Sequence, residues 1–331
     1  MAKKKVLNDE VAYYIAGLKI AVGLDKEAMV VWHDGYMIAP TGKGTIFIPC
    51  NFSATVAVRA QDLINALNGC DTTFTITEQI NQVAVSWGRK RATLAAKPRV
   101  SVYVRPRDHI DGQSNISPQF TQVLRSCLKD LPVTQQSTYS QVIKFAPNAA
   151  YWTNTTTAAK IDTGVWMPEI LLWVKDLRNA LSKEGDIVAI FGSATSLTLY
   201  WADGVAIQLP LVDDSTVKLP SLEFLFAPDL HEAEYELTDE HLDAFEYVAK
   251  FAEQVIFIEP TFIGTTDKPD TGTVVTTDGL PIQTQIFAEA VKLGAFKNAD
   301  SLIKAKHRHN AVAFITKREN FMFVLTRAKR Q

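Results

Sequence analysis

The sequence predicts an α+β protein built from three copies of one module, each running helix, strands, helix, strands. Three observations carry this. Residues 167–210 read as an amphipathic helix followed by three short strands. The same cassette follows Val58, where Asp62-Leu63-Ile64-Asn65-Ala66-Leu67 mirrors Asp176-Leu177-Arg178-Asn179-Ala180-Leu181 at five of six positions. From Thr284 a third copy keeps the pattern, a helix and three β-rich runs, with few of the letters. A spacing of roughly a hundred residues is too long for a solenoid and fits a chain of similar domains.

Taken in order, Asn8 and Asp9 cap a helix expected over residues 10–22, with Val11, Ile15, Leu18 and Val22 on one face. Strands are expected at 28–33 and 36–39, joined by the hairpin signal Asp34-Gly35, and the sheet continues at 44–50 and 55–58. After the first cassette the module closes near Lys97-Pro98, and residues 99–115, with Arg99, Arg105, Arg107, Pro106 and Gly112, read as an extended connector.

A second helix starts with Ser117 as cap and Pro118 in its first turn, where a missing N–H is harmless. Phe120, Val123, Leu124, Cys127 and Leu128 form its buried face, while Gln122, Arg125, Ser126 and Lys129 form a basic outer stripe. Strands at 141–145, 150–154 and 158–162 lead into the central cassette. Its helix is expected to bury Ile170, Val174, Leu177 and Leu181 and to turn Lys175, Arg178 and Ser182 or Lys183 outward. Residues 213–233 then connect to the third module, rich in Pro, Leu and Phe.

That module opens with Thr238 as cap and with Asp239 and Glu240 in the first turn. Its helix buries Leu242, Phe245, Val248 and Ala252 and shows a mostly acidic face of Glu240, Asp243, Glu246 and Lys250. Strands at 255–258, 273–277 and 280–283, with Asp278-Gly279 as a hairpin turn, bring in the last cassette.

A chain of 331 residues, 47% hydrophobic and 21% charged, is globular in composition and long enough for two or three cores. No run is apolar enough to span a bilayer, and the opening Met-Ala-Lys-Lys-Lys has no apolar stretch behind it, so neither a membrane span nor a secretory signal is expected. Cys50, Cys70 and Cys127 lack CxxC spacing, which implies a reducing setting and no structural zinc. The net charge of −2 excludes a surface basic all over, but not a local basic face, because a polyanion is steered by the local field.

Chemistry-bearing motifs come to little. Thr41-Gly42-Lys43-Gly44-Thr45 lacks the upstream glycine of a phosphate-binding loop and reads as a tight turn. His307 and His309 share a strand face without a partner ligand at metal spacing. No Ser-His-Asp elbow, HExxH or carboxylate pair is present, so no catalytic constellation, metal or cofactor is expected.

In this order of helices and strands, and in Ser86-Trp87-Gly88-Arg89-Lys90-Arg91-Ala92-Thr93-Leu94, the chain resembles the sliding clamps of DNA replication. The count of three modules is similar to the bacterial type, the β subunit of the replicative polymerase. The resemblance covers essentially the whole chain and rests on order and spacing more than on letters. It implies domains over 1–105, 106–228 and 229–331, joined in a homodimeric six-domain ring with helices on the inner face and sheets outside. Such a ring encircles duplex DNA as a processivity factor and holds phosphates without reading sequence.

The residues this implies at the DNA are Lys19, Arg59, Arg125, Lys129, Lys175, Arg178, Lys250, Lys292 and Lys297. The resemblance also implies a pocket for short apolar peptides of polymerases and clamp loaders, carried over onto Tyr139, Thr157, Ala159, Ile161, Pro220, Leu225, Phe323 and Leu325. Asn154-Thr155-Thr156-Thr157-Ala158-Ala159 stands where the family has Thr-Asp-Gly-His-Arg. Leu94 and Phe251 are the implied apolar contacts of the ring joint, where edge strands meet. The implied partners are duplex DNA, a DNA polymerase, a clamp loader and a second copy, in the cytoplasm, a host's if the chain is virus-encoded. Readings from other classes are a scaffold or inhibitor that reuses the fold without encircling DNA, and a nucleotide- or sugar-processing enzyme of repeated α/β domains.

Overall fold

The computed structural model describes residues 8–98, 113–114, 116–134, 137–154, 157–213, 215–277, 280–306 and 312–325. Thr155, Thr156, Asp278-Gly279, His307, His309 and the connector over 99–112 lie outside them. The chain divides into two compact units, Met1–Gln122 with Lys175–Leu211, and Val123–Val174 with Val212–Gln331.

One order of elements occurs three times: helix, four strands, helix, three strands. The first pass is α1 (Asp9–Leu24), β1 (Met29–His33), β2 (Tyr36–Thr41), β3 (Gly44–Pro49), β4 (Val56–Arg59), α2 (Ala60–Leu67), β5 (Phe74–Gln79), β6 (Gln82–Trp87) and β7 (Lys90–Pro98). The second adds a short leading strand, β8 (Gln113–Ser114), then α3 (Pro118–Asp130), β9 (Val142–Ala146), β10 (Ala149–Thr153), β11 (Ala158–Asp162), β12 (Ile170–Trp173), α4 (Val174–Leu181), β13 (Ile187–Gly192), β14 (Ser196–Trp201) and β15 (Ala206–Pro210). The third is β16 (His231–Glu236), α5 (Asp239–Ala249), β17 (Val255–Glu259), β18 (Phe262–Gly264), β19 (Val274–Thr276), β20 (Thr284–Phe287), α6 (Ala288–Lys292), β21 (Ser301–Lys306), β22 (Val312–Arg318) and β23 (Phe321–Leu325).

Sheet topology repeats with the elements. In every pass the fourth strand folds back beside the first, giving the orders β4-β1-β2-β3, β12-β9-β10-β11 and β20-β17-β18-β19. Two of these groups continue into a neighbouring set. In the first unit β3 accepts β15 in an eleven-stranded sheet, with Ile46 opposite Ile207. In the second, β11 accepts β23 in an eight-stranded sheet, with Ala159 opposite Phe323. The third group stays four-stranded, with β19 at its edge.

The second helix of each pass begins without a loop. Arg59 and Phe287 keep extended dihedrals (φ −68°, ψ 133° and φ −69°, ψ 127°), and the next residue is already helical. This corrects the expected helix through Ile170: residues 170–173 form β12, paired with β9 from Ile170 opposite Phe145 to Trp173 opposite Val142. Ile-Leu-Leu-Trp is apolar at every position, a pattern that fits strand or helix equally until a partner strand decides. Residues 284–287, expected as helix, likewise form a strand, β20, on β17. The strand expected at 280–283 is a turn instead, in which the Ile282 N–H donates to the Leu280 carbonyl. Strand β16, which overlaps the end of the connector expected over 213–233, pairs with β21.

Lys183 is also corrected. It is buried, its ammonium 2.5 Å from Asp203 and 5.9 Å from the centre of the Trp201 ring, because this partner pair offsets its loss of water.

Close packing sets the helix positions. Gly17 of α1 lies so near β3 that a Cβ there would stand 2.5 Å from the Ile48 side chain. On α5 the Phe245 ring stacks on Phe296 with centroids 3.9 Å apart. The α5 start carries a full capping box, in which Thr238 accepts from the His241 N–H and the Thr238 N–H donates to His241 Nδ1 at 3.0 Å.

At the end of α3 an ion triad ties distant sequence together. The Asp130 carboxylate, 11% exposed, accepts from Arg318 at 2.7 Å and from Lys297 at 3.0 Å. Burial alone would raise its carboxyl, but these two cations outweigh burial and hold it below the ordinary value. Asp130→Asn is expected to destabilise the chain by about 1–3 kcal/mol, because Arg318 stays buried without its counter-charge. A depressed folded value means the carboxylate contributes fully above the unfolded value and loses that contribution as pH falls through the folded one. The gap between wild type and Asp130→Asn in urea melts should therefore close below about pH 4. A gap constant down to pH 2 would contradict this account.

Candidate functional site

The helices present unequal charge. Lys19 on α1, Lys129 on α3 and Lys175 on α4 are exposed, and Arg125 and Arg178 are half-buried beside them. α2 carries no basic side chain within its length and turns Asn65 outward, with Asn68 just past its end. Arg59, immediately before α2, is engaged with Glu27 at 2.6 Å. The α5 face is acidic: Asp239, Glu240, Asp243 and Glu246 are exposed, with Lys250 past its end.

Two candidate cations serve as structural ties. Lys292 donates to the Ala252 carbonyl at 2.9 Å, and Lys297 belongs to the Asp130 triad. The basic character is therefore concentrated on α3 and α4, with one lysine on α1.

Within the first unit α4 is fixed against α1. The Asn179 amide donates to the Ile20 carbonyl at 3.1 Å, and a side chain at Gly23 would collide with that amide. Asp176, in the first turn of α4, is buried, and desolvation raises its carboxyl against the opposing charges of Lys43 and Lys175.

Six of the eight residues of the implied peptide pocket divide between two faces of one sheet. Thr157, Ala159 and Ile161 on and just before β11, and Phe323 and Leu325 on β23, are all buried. Phe323 lies against Trp152 at 6.4 Å, and Thr316 opposite it donates to the Ala295 carbonyl just past α6. Leu225 packs on the opposite face, over Tyr151, Ala158, Ile303, Ile315 and Val324, together with Leu222 and Phe226. Tyr139 and Pro220 are exposed. Successive strand residues point to opposite faces, so a shift of one position exchanges the whole set. Ala158 and Val324, one strand position from Ala159 and Phe323, therefore lie on the Leu225 side.

That same face carries a charged clamp. Lys144 on β9 reaches Glu223 at 3.0 Å and Glu169 at 3.1 Å. Burial would raise the Glu223 carboxyl, but bonds with Ser221, its own backbone and Lys144 bring it down to about 2. Just past α5 in the second unit, Phe251 is 53% exposed and its ring lies 5.1 Å from that of Tyr247, 48% exposed; in the first unit Leu94 on β7 is buried. Among the described residues no group of three or more His, Cys, Asp or Glu could hold a metal, and no helix is long and apolar enough to cross a membrane.

Comparison with solved structures matches this architecture along nearly the whole chain. The DNA polymerase III subunit beta of Pseudomonas aeruginosa superposes with a TM-score of 0.71 at 12% identity, over 97% of this chain and 98% of that one. The chain has the sliding-clamp fold. The Thermotoga maritima DNA polymerase III beta subunit gives 0.69 at 11% identity, over 97% and 98%. The Helicobacter pylori beta clamp, solved with a DNA ligase peptide, gives 0.68 at 11%, over 96% and 98%. No family model and no curated protein matches the sequence. The clamp fold is thus reached here with almost none of those chains' letters.

Because the α1–α4 contact sets where Lys19 and Lys175 stand, Asn179→Ala is expected to cost about 1 kcal/mol in chemical denaturation of the full chain. No change in midpoint would mean that the bond to Ile20 is replaced by water at no loss.

Proposed function

We propose that the protein is a DNA sliding clamp, a processivity factor that works as a homodimeric ring around duplex DNA and performs no catalysis. One observation supports this most: the strand-pairing rule is left incomplete within the chain. The third strand of the first group takes β15 and that of the second takes β23, each the last strand of the following pass. By the same rule β19 should take the last strand of a first pass, which is β7. Among the described residues β19 pairs only with β18, and Lys90–Ala95 of β7 pairs only with β6. A second copy, head to tail, supplies the missing partner at both ends.

In this reading the modules span 1–105, 106–228 and 229–331, with helices inward and sheets outward. Lys19, Arg59, Arg125, Lys129, Lys175, Arg178, Lys250, Lys292 and Lys297 lie toward the DNA, with Lys129 and Lys175 contributing most because they are exposed. Leu94 and Phe251 flank the joint between copies. Contacts with phosphates alone let the ring travel, since every base pair presents the same charge. A polymerase and a clamp loader dock through short peptides on the second unit, where Pro220 and Leu225 lie, in the cytoplasm of the cell or host. No cofactor is required.

Ile161 corresponds to Val275, each opposite the second residue after an equivalent hairpin, and Phe321 corresponds to Lys90, so the β11–β23 pairing of Ile161 with Phe321 transfers to the joint as Val275 opposite Lys90. Lys90→Cys with Val275→Cys should form a disulfide-linked dimer on mild oxidation, because Cys50, Cys70 and Cys127 are buried and do not compete. Moving the second cysteine to Thr276 should abolish the link. A chain that stays monomeric at micromolar concentration would end the ring.

Loaded onto nicked circular DNA, the protein should be retained until the circle is cut and then run off; release without cutting would reject sliding. Lys129→Ala with Lys175→Ala should lower retention and reduce the slope of log affinity against log salt by about 2. An unchanged slope would remove α3 and α4 from the DNA.

A further inference from the structure

Between β15 and β16 the chain crosses the face of the eight-stranded sheet that lies opposite Phe323. Residues 221–226, Ser-Leu-Glu-Phe-Leu-Phe, lie there without adding a strand to the sheet. Their own backbone closes in a short 3-10 turn, with the Leu225 N–H donating to the Leu222 carbonyl. They are held by side chains. Leu222 and Phe226 are buried in a shallow apolar bed that includes Tyr151, Ala158, Ile315 and Val324, with the Phe226 ring 6.1 Å from that of Tyr151. Glu223 is gripped by Lys144 and Ser221. Phe224, by contrast, is 48% exposed.

We propose that this bed is the peptide-docking groove and that the chain's own residues 221–226 are its resting occupant, displaced by partner peptides of the same chemistry. The inference rests on the reading that partner peptides dock on this unit, and it adds what they look like and what they must compete with. The recognised pattern is an aliphatic residue, a carboxylate next to it for Lys144, and an aromatic residue four positions after the aliphatic one. Extended or singly turned segments bind through such alternate side-chain pockets.

Competition follows from the tether. A segment fixed at both ends is present at an effective concentration of about millimolar, so a free peptide sees a weakened site. A partner already held close by another contact is tethered too and loses no such advantage. The segment then acts as a filter: stray peptides of this pattern are rejected, and a partner assembled at the same DNA end is admitted.

The probe is a fluorescent peptide copying residues 218–228, Lys-Leu-Pro-Ser-Leu-Glu-Phe-Leu-Phe-Ala-Pro, titrated into the full chain without DNA. Glu223→Lys sets like charges against each other at Lys144 and should release the resident segment, so the probe should bind this variant at least tenfold tighter than wild type. Lys144→Glu should reverse the preference, taking a probe with Lys in place of Glu and refusing the native one. Equal binding to wild type and Glu223→Lys, or binding indifferent to the charge exchange, would overturn the proposal.

Should Glu223→Lys melt below the assay temperature, hydrogen exchange on wild type decides instead. Saturating probe should speed exchange of residues 222–226 at least tenfold while β10 and β11 stay protected, and unchanged exchange would overturn it. Because no DNA is present, failure here leaves retention on circles untouched, and failure of retention leaves this result standing.

Discussion

Edge-to-edge strand pairing is the constraint on which the rest of the structure depends. A strand edge is a row of unpaired N–H and C=O groups, and leaving it bare is costly and hazardous. This chain resolves two such edges internally, by β3 with β15 and by β11 with β23, and these joins, with β4 beside β7 in the larger sheet, build sheets of eleven and eight strands. The helices then have a continuous floor to pack on. The strands that precede α3 and α4, β8 and β12, are each held in register by a neighbour, β13 and β9.

The same constraint explains why a likeness at 12% identity can extend over 97% of the chain. What has to be kept is a parity of apolar positions, a helix start placed directly after a strand, and a few close approaches such as Gly17 on Ile48. Each can be met by many letters.

Much of the architecture was legible beforehand, for identifiable reasons. The Asp-Leu-x-Asn-Ala-Leu match exposed the repeat, Asp34-Gly35 marked its hairpin, and Thr238 with Asp239 and Glu240 marked α5. Illegible parts were those where local pattern underdetermines the outcome. Ile170–Trp173 and Thr284–Phe287 needed their partner strands to become strands, β16 looked like connector, and Lys183 is buried only because Asp203 and Trp201 come to it from twenty residues on. For the sites, helix periodicity located Lys129 and Lys175 on outward faces. It could not show that Lys292 and Lys297 are occupied as ties, since Ala252 and Asp130 meet them through tertiary folding.

The sensitivity of a strand to a shift of a single position has a consequence for how such a chain can change over generations. Inserting one residue into β11 would turn Ala158 and Lys160 toward the helices and Ala159 and Ile161 outward, inverting the sheet at a stroke. Growth must therefore be confined to places where no partner counts residues. The segment between β18 and β19 runs nine residues, from Thr265 to Thr273, where β2 and β3 are joined by Gly42 and Lys43 alone. Gene-level lengthening and shortening is thereby channelled into hairpin tips, where an added residue shifts no strand register.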